Sequence, residues 1–419
     1  MILLSHPTGN TFTRAALVSL YEAGLLHEFQ TTIAAYPGNL WDILGRSAWG
    51  REFQRRAFDE RLRPLTVQHP CRELGRMLAN RLKLARLIRH ETGIFCIDAV
   101  YLSLDRSVAR RLRANPQAFT GVYAYEDGAR EAFRVARDLR LHCYYDLPIA
   151  YWETAQRLLQ EEAKRLPAWE PTLGGTRDSD RKLARKAEEL ELAEVVICPS
   201  QFVADSIPQD ARSKKRIVVA PFGSPELTTS GIEDGRLKRE IWQKGRRKLR
   251  VLFVGSMTQR KGLGDLMAAM QLLKRNDVEL VVMGSLQVPM DFYRKELSDF
   301  IYEPGRPHAQ VLALMGECDV LCLPSIVEGR ALVMQEAMSQ GLPLIITPNT
   351  GGADLIEEGV TGFLVPIRSP EIIAARLDWC ADHRDELRVM GRSATQLAAT
   401  CTWENYGWIV VDAIRAAGG

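Results

Sequence analysis

The sequence has 419 residues, of which 46% are hydrophobic, 26% charged and 8% aromatic. This length and composition exclude a single small module and a disordered or fibrous chain, and they predict at least two globular domains. The 55 Lys and Arg residues against 52 Asp and Glu residues give a net charge of +3, too small a surplus to indicate wholesale nucleic-acid binding.

The chain begins with a short apolar run, 1–4, which predicts a strand followed by the turn HPTGN. Gly9 in this turn would let the backbone approach a phosphate. The run is far shorter than the apolar core of a signal peptide, and no stretch approaches the roughly 18 to 20 apolar residues that span a bilayer. The eight Cys residues contain no CxxC pair and are expected to be reduced thiols. We therefore expect a cytoplasmic protein.

The stretch 46–89 carries a concentrated positive charge. It has twelve Lys or Arg against four Asp or Glu, a local charge of +8, so the rest of the chain is at −5. Trp49, Phe53 and Phe58 alternate with arginines here, as in a helix that rests on anionic lipid headgroups. The alternative is a solvated helical face whose aromatic side chains pack inward. We expect an anionic membrane surface rather than nucleic acid as the partner, since no nucleic-acid-reading motif accompanies the stretch.

Further short apolar runs alternate with amphipathic helical stretches, and each run ends in Gly, Pro, Ser or Asp. The runs lie at 121–124, 142–145, 195–198, 251–255, 279–284, 319–323 and 344–347. This alternation predicts an α/β protein with parallel sheets covered on both faces and with ligand sites at the carboxyl ends of the strands. The polar, broken stretch 224–248 is the best domain boundary.

The first candidate site follows the run 251–255. Arg260, Lys261 and Gly262 stand where this predicted strand meets the next helix. Backbone amides, the helix dipole and two cations at such a turn together favour a phosphate. The order Lys-Gly excludes a Walker A loop. An exposed basic turn is the alternative.

The second candidate site follows the run 319–323. Glu328 lies in the loop before a helix that begins near Ala331, and Glu336 is eight positions further on. At 1.5 Å per helical residue the two carboxylates are separated by up to roughly 12 Å, about the length of a nucleoside diphosphate. They would then hold two ends of one ligand, with the amides between them facing its phosphates. Alternatively, Glu328 complements the helix dipole and Glu336 is solvated.

Four sequence blocks together resemble one family. They are GSMTQRKG (255–262), PSIVEGRALVMQEAMSQGLPLIIT (324–347), GGADLIEEGVTGFLVP (351–366) and TWENY (402–406). Over about residues 190–410 the chain resembles the C-terminal half of retaining glycosyltransferases of family four, the glycosyl transferases group 1. The resemblance implies the GT-B fold, in which two Rossmann-like, doubly wound domains face each other across a cleft. It implies an acceptor-side domain at 1–222, a nucleotide-sugar-binding domain at 223–400, and a final helix within 401–419 that packs back towards the first domain.

The resemblance also implies roles for individual residues. Arg260 and Lys261 would bind the donor diphosphate and Glu328 would lie beside the transferred sugar, so these three are the catalytic candidates. Glu336 would bind the ribose hydroxyls. Other donor-binding positions implied are Gly9, Gly255, Ser256, Gly329, Arg330, Ala331 and Leu332.

Two departures from the family pattern bear on the donor. Relatives usually read Glu-Gly-Phe-Gly-Leu where this chain has Arg330 and Ala331, which leaves the amide contacts in place and the identity of the sugar open. Many relatives have Gly-Arg where this chain has Gly255 and Ser256. One phosphate contact is therefore either absent or supplied by Arg330.

The N-terminal half matches the family less closely. Relatives often have a His-Asp pair at the end of a strand in the middle of this domain, and no His stands there in this chain. Asp127, Tyr145 and Asp146 follow two of the predicted strands and are the candidates for lining an acceptor pocket. Otherwise the two carboxylates belong to loops or helix caps.

The resemblance implies a retaining, metal-independent glycosyltransferase of the hexosyltransferase type. It would move a sugar from a nucleotide sugar, a UDP-sugar first and a GDP- or ADP-sugar as alternatives, to a hydroxyl of a glycolipid, exopolysaccharide or other cell-surface glycan. It would need no cofactor, and its acceptor would be free or lipid-linked. It would lie in the cytoplasm or on the inner face of the membrane. The other candidate functions are a GT-B nucleotide-sugar epimerase or hydrolase and a catalytically silent nucleotide-sugar-binding subunit.

Overall fold

The computed structural model describes residues 1–47, 50–174, 177–225 and 247–418. Within these ranges the strands form two separate sheets, one from each half of the chain, and every strand pairing is parallel. The predicted α/β architecture with two Rossmann-like domains is therefore confirmed. Each of the apolar runs named above contributes to a strand. The predicted domain boundary at 224–248 falls mostly outside the described residues.

The N-terminal domain is built on a seven-stranded sheet. Its strands are β1 (Ile2–Ser5), β2 (Leu26–Thr31), β3 (Thr66–Gln68), β4 (Gly121–Tyr125), β5 (His142–Asp146), β6 (Val195–Cys198) and β7 (Arg216–Val219). They lie in the order β3-β2-β1-β4-β5-β6-β7. All four residues of β1 are buried, as expected of a strand covered on both faces, and its sequence shows no regular polar alternation. The helices are α1 (Thr11–Glu22), α2 (Leu40–Gly45), α3 (Arg51–Gln54), α4 (Cys71–Arg81), α5 (Ile97–Ala114), α6 (Arg130–Asp138), α7 (Trp152–Arg165), α8 (Asp180–Leu192), α9 (Gln201–Ser206) and α10 (Gln209–Arg212).

The C-terminal domain has a six-stranded sheet. Its strands are β8 (Leu249–Val254), β9 (Val278–Met283), β10 (Ile301–Glu303), β11 (Val320–Leu323), β12 (Leu344–Ile346) and β13 (Gly362–Leu364). Their order is β10-β9-β8-β11-β12-β13, so β8 and β11 are neighbours. The loops that follow these two strands carry the two candidate sites and therefore lie side by side. The helices are α11 (Leu263–Leu273), α12 (Met290–Glu296), α13 (His308–Met315), α14 (Leu332–Ser339), α15 (Pro370–Asp382) and α16 (Arg384–Thr400).

Each domain buries a piece of chain from the other half. The last helix, α17 (Trp403–Gly418), packs against α1, and its Tyr406 and Val410 lie in the N-terminal core. In the opposite direction, Trp169 of the N-terminal half is 1% exposed within the C-terminal core, where its indole nitrogen donates to Glu296 at 3.0 Å. The two domains are therefore joined at separate places by buried apolar side chains.

A charged network also joins the domains beside Trp169. Arg165 on α7 donates to both carboxylate oxygens of Asp265 on α11, at 2.8 Å each. Gln259 donates to Glu162 on α7 at 2.9 Å and to Asp265 at 2.8 Å. Glu162 and Asp265 are both almost fully buried, so each of these charges depends on its partner. The network ends directly beside Arg260.

The basic stretch 46–89 is not the single helix that its pattern suggested. It contains α3, a 3-10 helix (Glu60–Leu65), β3 and α4. Phe58 is 7% exposed and packs against Phe29 with ring centroids 5.1 Å apart, so it faces inward as the alternative reading held. Phe53 is half-buried, and Trp49 lies outside the described residues. No helix in the described ranges combines the length and the apolar character needed to span a bilayer.

Candidate functional site

The turn after β8 positions the two predicted phosphate-binding cations. Gly255 has φ +146°, and a Cβ on it would lie 2.7 Å from Cδ of Lys261, so the lysine side chain lies directly over this glycine. Gly262 has φ +74°, and a Cβ there would lie 2.0 Å from the carbonyl oxygen of Pro324. The positive φ therefore favours glycine at both positions, and at Gly262 the backbone of Pro324 also leaves no space for a Cβ. Ser256, between them, is half-buried.

Glu328 lies between the two cations. One of its carboxylate oxygens, Oε2, is 2.5 Å from Nζ of Lys261 and 3.0 Å from a guanidinium nitrogen of Arg260. Burial by itself would raise the pKa of Glu328, but the charges of Lys261 and Arg260 outweigh it and hold this pKa at about 2. Glu328 is therefore ionised throughout the physiological range. The structure thus brings the three predicted catalytic residues together.

The loop after Glu328 contacts the N-terminal domain. The hydroxyl of Ser200 donates to the carbonyl oxygen of Gly329 at 2.6 Å. A Cβ on Gly329 would lie 1.8 Å from the carbonyl oxygen of Pro148, so only glycine permits this approach. Ala331 is 7% exposed and precedes α14, and Leu332 packs against the N-terminal core. The predicted donor loop therefore lies at the junction of the two domains.

Arg330 is bonded within the C-terminal domain. Its buried guanidinium forms two bonds with the carboxylate of Asp354, at 2.7 and 2.9 Å. It also donates to the carbonyl oxygen of Gly351 at 3.0 Å and to Gln335 at 3.2 Å. This side chain holds the loop in shape, and the geometry gives no support to the expectation that it supplies a phosphate contact.

Glu336 lies on α14, separate from the cation pair. Its carboxylate is 3.0 Å from Nε2 of His308, at the start of α13. Its side chain is 19% exposed and that of His308 is 58% exposed, so the pair is accessible to a ligand from solvent. Sequence reasoning did not single out His308, because it lies 28 positions before Glu336 and no motif connects the two.

Gly9 occupies the turn from β1 to α1 with φ +62°. Its amide donates to Nδ1 of His6 at 2.8 Å, and the amide of Thr8 donates to the same nitrogen at 3.1 Å. Burial, helped by the nearby charge of Arg56, lowers the pKa of His6 to about 3, so its ring is neutral and accepts both bonds. The Gly9 amide is therefore engaged by His6, and the predicted backbone contact to a donor phosphate gains no support.

The acceptor-side candidates do not form one pocket. Asp127 is half-buried, has φ +73° and binds Arg185 at 2.7 Å. Tyr145 is fully buried, and its hydroxyl donates to Glu189 at 3.2 Å. Asp146 is only 2% exposed. The side chains of Tyr145 and Asp146 are enclosed in the N-terminal domain, so they do not line an open acceptor pocket as the sequence suggested.

The surroundings of Asp146 explain its burial. The hydroxyl of Tyr123 donates to its Oδ2 at 2.6 Å, and the hydroxyl of Tyr406 on α17 lies 3.5 Å from the same oxygen. Burial raises the pKa of Asp146 to about 7, against which these two hydrogen bonds act only partly. This carboxyl group ties the last helix to the first domain.

Comparison with known proteins agrees with this geometry. Residues 235–397 match the family model described as glycosyl transferases group 1. The amylovoran biosynthesis glycosyltransferase AmsK of Erwinia amylovora is 28% identical over 170 residues, which cover 38% of this chain and 42% of that protein. A D-inositol 3-phosphate glycosyltransferase of Corynebacterium glutamicum is 30% identical over 211 residues, which cover 46% of this chain and 50% of that protein. The aligned segments thus span half or less of these relatives.

Solved structures show the fold of the whole chain. The sucrose-phosphate synthase of Thermosynechococcus elongatus superposes with a TM-score of 0.66 at 16% identity, covering 99% of this chain and 98% of that one. HepE of Anabaena in complex with UDP gives a TM-score of 0.60 at 15% identity, covering 99% of both chains. Residues 235–397 thus resemble the glycosyl transferases group 1, and the solved structures show that the chain has the GT-B fold, with two facing Rossmann-like domains.

Proposed function

We propose that this protein is a retaining glycosyltransferase that moves a sugar from a nucleotide-diphosphate sugar to an acceptor hydroxyl. The observation that carries the proposal is the ionised Glu328 bound to Arg260 and Lys261 at a strand-to-helix turn, in a loop that touches the other domain. A diphosphate and a developing positive charge on the sugar need this combination of two cations and one carboxylate within a few ångströms.

The charges assign a division of work. Arg260 and Lys261 would stabilise the negative charge that builds on the departing diphosphate. Glu328 would orient and stabilise the oxocarbenium-like sugar. With a pKa of about 2 it holds no proton to give at neutral pH, so it acts as a charge and not as a general acid. No metal is needed in this scheme, because two side-chain cations supply the positive charge.

The comparisons support the finer assignment of the substrates. The Anabaena protein HepE has been solved with UDP and with UDP-glucose, which favours a UDP-sugar here over a GDP- or ADP-sugar. Relatives named for the biosynthesis of amylovoran and of colanic acid favour a cell-surface glycan as the product. A hexosyl group is the transferred sugar that we propose, because the sugar of UDP-glucose is a hexose. We place the activity on the cytoplasmic side of the membrane.

Loss of nucleotide binding tests the proposal directly. Lys261→Ala removes one charge-assisted phosphate contact, so the Kd for UDP should rise by about tenfold or more. The matched control is Lys295→Ala, an exposed lysine on α12 of the same domain, which should leave the Kd unchanged. An unchanged Kd in Lys261→Ala, measured by calorimetry, places the site elsewhere.

Steady-state kinetics separate the roles of the two glutamates. Glu336→Ala should weaken nucleotide binding, because Glu336 would hold the ribose hydroxyls, whereas Glu328→Ala should chiefly lower kcat. The reverse pattern contradicts the assignment. Release of free nucleotide only when an acceptor is present distinguishes a transferase from an epimerase, a hydrolase or a silent binding subunit.

Domain closure is part of the proposed cycle. The donor residues lie in the second domain, so an acceptor must be brought to them from the first. The proposed hinge at 224–248 falls mostly outside the described residues. A nucleotide sugar should reduce the radius of gyration in small-angle scattering, and no compaction at saturating donor would count against closure.

One further observation favours a membrane surface as the place where this protein binds its acceptor. Nine of the 17 exposed large apolar side chains that the structure describes lie between residues 40 and 97. Leu78 and Leu82 are 58% and 57% exposed one helical turn apart, and the exposed cations Lys83 and Arg86 follow at once. Exposed leucines beside cations fit an anionic lipid surface.

Vesicle sedimentation tests the membrane proposal. Wild-type protein should sediment with anionic vesicles and less with neutral ones, and salt should weaken the attraction. Replacing Leu78 and Leu82 by Ser should reduce this binding, while the control Leu272→Ser, a leucine 50% exposed in the other domain, should not. Equal recovery on neutral and anionic lipid leaves a soluble acceptor as the better assignment.

A further inference from the structure

A cationic cavity of about 480 Å³ lies beside the Gly9 turn. It is bounded by residues 8–11 and by side chains from α1, α3 and α4 with their flanking residues. Four arginines line it, Arg14, Arg55, Arg56 and Arg76, against one carboxylate, Glu52. Sequence reasoning assigned this part of the chain to a membrane surface. The structure places three of its arginines, Arg55, Arg56 and Arg76, around one open cavity.

A buried glutamate accounts for two of the four charges. Glu73 is fully buried and receives two bonds from Arg76, at 2.8 and 2.6 Å, as well as one from Arg56. One carboxylate thus fixes two guanidinium groups side by side at the cavity wall. Because Glu73 carries a single charge, the trio keeps a net charge of +1.

The other two arginines have no carboxylate partner within residues 1–47, 50–174, 177–225 and 247–418. Among the residues that the structure describes, neither Arg14 nor Arg55 forms an ion pair. The guanidinium of Arg14 donates to the backbone carbonyl of Arg55 and lies 5.4 Å from the ring centroid of Phe58. Its Nε is buried without a hydrogen-bond partner in the described part of the chain. Burial lowers the pKa of Arg14 because it disfavours the charged guanidinium, and an anion beside this group would stabilise the charged form.

The position of the cavity connects it with the donor loop. Phe12, in the first turn of α1, stacks on Phe222 with centroids 4.7 Å apart, and the carbonyl oxygen of Phe222 accepts a bond from Gln335 on α14. Phe222 therefore connects the start of α1 with the helix that carries Glu336. All the residues that line the cavity belong to the N-terminal domain, the domain to which the proposed function assigns the acceptor.

We infer that this cavity binds a phosphate or diphosphate group of the acceptor. The inference rests on the proposed function, since it needs an acceptor to be present in the N-terminal domain. Guanidinium groups bind phosphate oxygens in pairs of parallel hydrogen bonds, and in the described part of the chain no carboxylate is paired with Arg14 or Arg55 to compete for such bonds. The N-terminus of the twelve-residue helix α1, at the edge of the cavity, favours the same negative charge.

Binding of inorganic pyrophosphate in the presence of saturating UDP tests the site without knowledge of the acceptor. UDP fills the site at Arg260 and Lys261, so the second anion reports the cavity. Arg55→Gln and Arg14→Gln should each weaken pyrophosphate binding by about tenfold or more, while UDP binding stays unchanged. The matched control is Arg63→Gln, an exposed arginine of the same stretch that does not line the cavity.

Two outcomes overturn the inference. The first is pyrophosphate binding that is equal in the wild type, Arg55→Gln and Arg63→Gln. The second is an absence of pyrophosphate binding to the UDP-bound wild type. Arg55 is exposed, so Arg55→Gln keeps the test valid even if the half-buried Arg14 proves necessary for folding. Failure of the proposed function looks different, because UDP itself would then fail to bind while pyrophosphate binding remained sensitive to Arg55.

The source of the phosphate is resolved by two probes. A hexose 1-phosphate represents a soluble acceptor, and a short polyprenyl phosphate in neutral detergent micelles represents a lipid-linked one. Binding of either probe that is lost in Arg55→Gln supports the inference and identifies the source. Binding of both with no loss in the variant contradicts it. Glucose and phosphate-free micelles serve as uncharged controls.

Discussion

The substitution Glu328→Gln measures how strongly the carboxylate stabilises the two cations. A pKa of about 2 in place of the ordinary 4.5 means that the fold favours the ionised form by about 3 kcal/mol. Glutamine keeps the size of the side chain and removes its charge, which leaves Arg260 and Lys261 without a counter-charge. We therefore expect the free energy of unfolding of the ligand-free protein at pH 7 to fall by about 3 kcal/mol at most.

Urea unfolding of the wild type, Glu328→Gln and Glu336→Gln is the assay. The control loses the same charge, but its partner His308 is largely exposed, so the expected loss is below about 1 kcal/mol. UDP should stabilise Glu328→Gln more than the wild type, because the diphosphate no longer competes with a carboxylate for the same two cations. Turnover should fall in Glu328→Gln all the same.

The pH dependence supplies an independent check. Because the pKa of Glu328 is depressed in the folded protein, its contribution to stability is present above about pH 4.5 and is lost as the pH falls towards 2. The difference in stability between the wild type and Glu328→Gln should therefore shrink below about pH 4.5. Equal losses in Glu328→Gln and Glu336→Gln, or a difference that is the same at pH 7 and pH 3.5, would refute the reasoning.

Three further predictions follow from single contacts. Gly329→Ala places a methyl group 1.8 Å from the carbonyl oxygen of Pro148, so the domains should separate and small-angle scattering should show a larger radius of gyration; an unchanged curve would contradict this. Gly9→Ala combines φ +62° with a Cβ 2.1 Å from the Phe58 ring, so Tm should fall, and an unaltered Tm would show that the turn can rearrange. Burial raises the pKa of Asp146 to about 7, so the free energy of unfolding should decrease as the pH rises from about 4 to 7. Asp146→Asn should remove this decrease, so the variant should gain stability relative to the wild type between about pH 4 and pH 8. A difference between the two proteins in urea unfolding that does not change with pH would count against this.

The sequence predicted those parts of the fold that depend only on residues close together in the chain. Runs such as Val320–Leu323 are apolar throughout, because the strand is buried on both faces, and no distant residue is needed to recognise them. The same holds for the turn with Arg260 and Lys261, whose strand, cations and helix are adjacent in the chain. Four strands, β2, β3, β10 and β13, were not predicted. β3, β10 and β13 have only three residues each and lie at sheet edges, and polar residues interrupt β2, so none of the four stands out as an apolar run.

The missed features all depend on partners far away in the chain. Arg330 is held by Asp354, 24 positions later, so its motif position could not reveal that its side chain is engaged. Asp146 is covered by Tyr406, 260 positions away, which removes it from any open pocket. Phe58 is buried against Gly9 and Phe29, so the alternation of aromatic and basic residues suggested lipid contact where the fold makes a core contact.

Trp169 packs in the C-terminal domain and α17 packs in the N-terminal domain, and these two contacts limit how the domains can move relative to each other. Each domain holds a buried anchor from the other half of the chain, and two bodies fixed at two separate points can turn only about the line that joins those points. In the domain closure proposed above, the domains would turn about this line, and an acceptor bound in the first domain would reach the donor loop along that single path. The anchors also make the two halves interdependent in folding. A chain cut between residues 225 and 247 would give two fragments, each with an unfilled apolar slot that only the other fragment can fill.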